Sequence, residues 1–90
     1  MMEKTFKITS PVGLHARPST VLVAGVTPFA SVIQIKYKDK TVNLKSILGV
    51  MSLGVSEGEV ITIKAEGSDE EAAIAKVAEL MISEGLGQEC

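Results

Sequence analysis

Four short stretches alternate polar and apolar residues, and each has only one apolar side. Thr5 to Thr9 places Phe6 and Ile8 on one face. Val32 to Tyr37 does the same with Ile33, Ile35 and Tyr37, Lys40 to Leu44 with Val42 and Leu44, and Val60 to Glu66 with Ile61, Ile63 and Ala65. A two-residue period with one apolar side predicts strands of a sheet that is covered on one face and wet on the other. The cover has to come from elsewhere in the 90 residues, and three stretches with helical spacing supply it. The first runs from about Ala16 into the low twenties, with Val21 and Leu22 buried, and ends near Ala24 to Thr27 where Gly25 and Pro28 punctuate it. The second is short and lies between Ser46 as N-cap and Gly54 as C′ residue. The third follows the capping-box pattern Ser68-Asp69-Glu70-Glu71, carries Ile74, Val77, Ala78 and Met81 on one stripe, and reaches about Glu84 before Gly85. Leu86 to Cys90 is expected to be a frayed tail. The order β-α-β-β-α-β-α predicts one α+β domain over residues 1–90.

Composition narrows what such a domain does. Only Phe6, Phe29 and Tyr37 are aromatic, so the core is aliphatic. A net charge of −2 with no basic block argues against nucleic acid as a partner. Apolar runs fall well short of the ~20 residues of a membrane span, and no signal peptide is visible after Met1, so no direct membrane insertion is expected. Cys90, the single cysteine, excludes an intrachain disulfide and a cysteine-based metal site, and a reducing cytoplasmic setting is the default expectation.

The chemistry concentrates in Gly13-Leu14-His15-Ala16-Arg17-Pro18-Ser19, which holds the only histidine. Proline in a first helical turn and glycine before it place His15 at the start of a helix. There the imidazole stands beside unpaired backbone N–H groups at the positive end of the helix dipole. Imidazole is substantially neutral near pH 7, which leaves a ring nitrogen free to attack phosphorus, and a phosphoryl group on that nitrogen departs readily. Helix-terminal N–H groups cradle a phosphate dianion, and Arg17 adds a permanent cation with bidentate geometry. No second His or Cys lies near enough to complete a metal site, and no nucleophile-and-base pattern suggests a hydrolase. Neither a metal nor a cofactor is expected.

Two further features stand out. Ser46 is an N-cap whose phosphorylation would be favoured by the helix dipole. Ile47, Leu48 and Met51 lie at i, i+1 and i+4 of the short helix, a spacing that suits either the core or an apolar docking patch, with Lys40 and Lys45 as a polar rim. The carboxylates of Ser68-Asp69-Glu70-Glu71 read as a complement to the dipole of the third helix rather than as a site.

Gly13-Leu14-His15-Ala16-Arg17-Pro18 resembles the active-site motif of the HPr family, the histidine-containing phosphocarriers of the bacterial phosphoenolpyruvate-dependent sugar phosphotransferase system. Lys40 to Gly54 resembles that family's regulatory-serine segment in its low-GC Gram-positive form. The likeness spans nearly the whole chain. It implies an open-faced β-sandwich of four antiparallel strands with three helices on one face. It also implies a phosphoryl-transfer intermediate rather than an enzyme: His15 accepts the group from phosphorylated enzyme I and gives it to IIA components of sugar transporters, assisted by Arg17. By the same likeness Ser46 is the substrate of an HPr kinase/phosphorylase, its phosphorylation favours catabolite control protein A, and Ile47, Leu48 and Met51 form the shared docking surface. The alternative is a purely regulatory binding module that works through Ser46 and the apolar patch, without phosphoryl transfer at His15; a paralogue of that kind lacks the histidine. The chain departs from the family at Ala24-Gly25-Val26-Thr27-Pro28, where Gly25 and Pro28 are expected to shorten or loosen the first helix, and at the apolar Pro11-Val12.

Overall fold

A computed structural model describes residues Met1–Cys90. The strands β1 (Met2–Ile8), β2 (Val32–Tyr37), β3 (Lys40–Asn43), β4 (Val60–Glu66) and β5 (Gly87–Glu89) form one sheet in the order β3-β2-β4-β1-β5, with every pair antiparallel. The helices α1 (Ala16–Val26), α2 (Ile47–Ser52) and α3 (Glu70–Ser83) cover one face. This is the open-faced α+β architecture that the one-sided alternation predicts. The inward residues of β2 and β4 (Ile33, Ile35, Tyr37, Ile61, Ile63 and Ala65) are all buried. They meet Leu22 and Val26 of α1, Val50 of α2, and Ala73, Ile74, Val77 and Met81 of α3 in a single aliphatic core.

The sheet has five strands, one more than expected. The segment after Gly85 is not a frayed tail. Leu86 is only 4% exposed and anchors it, and β5 then pairs beside β1 with Lys7 opposite Gln88. β1 also begins at Met2, three residues earlier than the alternation suggests.

One expectation for α1 holds and one is corrected. The helix ends at Val26, inside the expected Ala24 to Thr27, and across Gly25 the Thr27 N–H still donates to the Val23 carbonyl (3.0 Å). At the bare Cα of Gly25 the Leu80 side chain of α3 fills the place a Cβ would take. Val21 is half-buried rather than part of the core; Pro18, Ser19, Leu22, Val23 and Val26 are the buried positions.

The acidic start of α3 also differs from the capping-box reading. Asp69, not Ser68, is the N-cap, and its carboxylate bonds nothing in its own helix. It accepts from the Ala30 N–H (2.8 Å), the Ser31 N–H (2.9 Å) and the Ser31 hydroxyl. These bonds tie the α1–β2 connection to α3 and hold the Asp69 carboxyl below its ordinary value, the Ser31 hydroxyl being the chief cause. Glu70 accepts from the Gly67 N–H (3.1 Å), which likewise lowers its pKa.

Candidate functional site

The loop between β1 and α1 carries the motif histidine. Its shape depends on Gly13, which lies at φ +64° with the Val55 carbonyl oxygen where a Cβ would stand. Only glycine combines that backbone with that approach. The neighbouring Leu14 N–H donates to the same carbonyl (3.0 Å), and the buried Ser19 hydroxyl donates to the Leu14 carbonyl (3.0 Å). With Leu14 buried and held from both sides, the chain delivers His15 to the N-cap of α1.

His15 is exposed, has extended backbone geometry, and makes no side-chain cap hydrogen bond. Its carbonyl accepts from the Ser19 N–H (3.0 Å) and so opens the helix. The N–H groups of Ala16 and Arg17 have no partner, and Pro18 has no N–H to satisfy. An unencumbered imidazole therefore sits next to free donors at the positive end of an 11-residue helix.

Arg17 is exposed and lines a recess together with Ser10, Val12, Pro18, Val21, Glu84 and Leu86. The recess, about 270 Å³, brings the start of α1 against the residue that follows α3. Glu84 thus joins the surroundings of Arg17, a neighbour that sequence reading missed. The two are 67 positions apart in the chain (84 − 17), and no local pattern connects them.

Ser46 caps α2 as its spacing predicts, its Oγ accepting from the Gly49 N–H (3.0 Å). Ile47, Leu48 and Met51 are 39%, 80% and 37% exposed, so they line the surface, and Val50 alone turns from α2 into the core. Lys45 Nζ donates to the Phe29 carbonyl (2.5 Å).

The family model for the PTS HPr component phosphorylation site matches residues 2–83. The chain belongs to the HPr family. Solved structures agree. The histidine-containing phosphocarrier protein of Mycoplasma is 41% identical with a TM-score of 0.94, over 97% of this chain and 99% of that one. HPr-C-His from Thermoanaerobacter tengcongensis is 47% identical with a TM-score of 0.88, over 92% and 93%. The catabolite-repression protein Crh of Bacillus subtilis is 36% identical with a TM-score of 0.71, over 93% and 95%. As an HPr protein the chain is a phosphocarrier of the phosphotransferase system and not a catalytic enzyme. HPr proteins work with other components of that system, such as enzyme I and IIA.

Proposed function

We propose that His15 carries the phosphoryl group, receiving it from phosphorylated enzyme I and passing it to the IIA components of sugar transporters. The observation that supports this most directly is the exposed, unbonded imidazole at the N-cap of α1, adjacent to the unpaired N–H groups of Ala16 and Arg17. In the forward step a ring nitrogen lone pair forms the N–P bond as the donor's bond to phosphorus breaks, and the other ring nitrogen keeps its proton. The helix N–H groups and the Arg17 guanidinium offset the charge of the transferring group. Because these donors are fixed dipoles on a surface, they hold the phosphate while leaving it open to the next acceptor. The setting is the cytoplasm, and no helix is long and apolar enough to cross a membrane.

Ser46 is the regulatory site in this reading. Phosphorylation by an HPr kinase/phosphorylase puts a dianion on the first turn of α2, next to Ile47, Leu48 and Met51. The added charge on an apolar docking face slows transfer from enzyme I and favours catabolite control protein A instead.

The deciding experiment is intact-protein mass after incubation with phosphoenolpyruvate and a bacterial enzyme I. Wild type gains one acid-labile phosphoryl group and His15→Ala gains none while keeping its fold. No adduct on wild type, with enzyme I active on another carrier, would leave the regulatory binding module as the function.

A further inference from the structure

The turn between α2 and β4 holds a carboxylate that phosphoryl transfer, as described above, leaves unused. Glu59 Oε1 accepts from the Ser56 N–H (3.0 Å), while Oε2 accepts from the Tyr37 hydroxyl. The Glu59 N–H returns to the Ser56 carbonyl (3.2 Å), so the turn is closed from both ends. Tyr37 is only 8% exposed at the end of β2, which makes it a rigid brace. Lys38 stands over its ring at 5.1 Å and lies 3.8 Å from Glu59 Oε2. The Tyr37 hydroxyl first, and the Ser56 N–H second, hold the Glu59 carboxyl below its ordinary value, so the charged form is the one that makes these bonds.

This small turn carries the loop that presents His15. Val55, immediately before Ser56, offers the carbonyl to which the Leu14 N–H donates and against which Gly13 is packed. The other end of the same loop is held as well. The Ile8 N–H donates to the Glu59 carbonyl (2.8 Å), and the Gly58 N–H donates to the Ile8 carbonyl (2.7 Å). Residues 9–14 are thus tied at both ends to residues 55–59, with the Leu86 carbonyl also accepting from the Thr9 and Ser10 N–H groups (2.9 and 3.2 Å), and the side chain that bonds within 55–59 is that of Glu59.

We propose that Glu59 is a positioning residue for phosphoryl transfer: its carboxylate, braced by Tyr37 and Ser56, fixes the Val55 carbonyl from which the His15 loop is hung. The proposal rests on the carrier reading of His15. Glu59 touches no reacting atom. It acts by limiting where the imidazole stands relative to the donor, and small misplacements of a reacting group are costly in rate.

The test compares wild type, Glu59→Ala, Glu59→Gln and Tyr37→Phe in full-length protein. Steady-state transfer from phosphorylated enzyme I gives kcat and KM, and amide hydrogen exchange is followed at Leu14 and at Ile63 in β4. Glu59→Ala is expected to lose about tenfold in kcat with KM within about twofold, the pattern of lost transition-state positioning rather than lost docking. Leu14 exchange accelerates while Ile63 exchange does not. Glu59→Gln, whose amide oxygen still accepts from Ser56, recovers most of the rate, and Tyr37→Phe falls between. Wild-type kcat in Glu59→Ala, a change in KM alone, or equal acceleration at Leu14 and Ile63 would overturn the proposal. If wild type itself takes up no phosphoryl group, the carrier reading fails and positioning for transfer fails with it; selective Leu14 exchange then still reports whether Glu59 holds the loop.

Discussion

At the scale of single residues, two side chains do different things at helix starts that look alike in sequence. Ser46 spends its oxygen on the Gly49 N–H, whereas His15 leaves its ring unbonded. Replacing Ser46 by Ala removes a cap and should lower stability by about 1 kcal/mol in a denaturant titration. Replacing it by Asp keeps an acceptor for Gly49 and adds charge to the docking face. Ser46→Asp is therefore expected to stay near wild-type stability yet accept phosphate from enzyme I more slowly, and transfer at the wild-type rate would sink the coupling between Ser46 and His15. Both positions were legible in the sequence, because a cap is a local device whose residues lie within one turn. Glu59 was not legible. Its partner Tyr37 is 22 positions away, and no local pattern joins the two.

At the scale of elements, the connection of α1 to β2 is held by the Asp69 carboxylate. Its folded pKa is depressed, so the stability it contributes is complete above the ordinary aspartate range and is lost as pH falls through the lower folded value. Glu59 and Glu70 shift the same way and add to that acid sensitivity. Asp69→Ala should melt below wild type at neutral pH, and the gap should narrow as pH falls below the ordinary aspartate range. A gap independent of pH would show that the carboxylate's charge contributes nothing. The four alternating strands could be read from their two-residue period, α3 from its apolar stripe, and the six-residue α2 only from the Ser46 cap and Gly54 that bound it. β5 could not. Three residues show no alternation, and what orders them is the burial of Leu86 and the free edge of β1, a property of the assembled sheet. Asp69 misled for a related reason: a carboxylate in a first turn fits the helix dipole whether or not it reaches another element.

At the scale of the whole molecule, the sheet is covered on one face only, and both proposed sites lie on the covered side. The open face of the sheet is wet, and the helical side bears His15 at the start of α1 and the apolar residues of α2. Leu48, at 80% exposed, contributes little to the core. Leu48→Glu should leave stability within about 0.5 kcal/mol while raising KM for phosphorylated enzyme I about tenfold with little change in kcat. An unchanged KM would remove α2 from the docking surface. The strand order has a consequence of another kind. β1 is bordered on both sides by strands from far along the chain, β4 and β5. The segment that leads into the His15 loop therefore takes its place only once residues 60–66 and 87–89 have come beside it. Pairing of such long range in sequence is slow to nucleate, so the order of this loop depends on closing most of the domain around it.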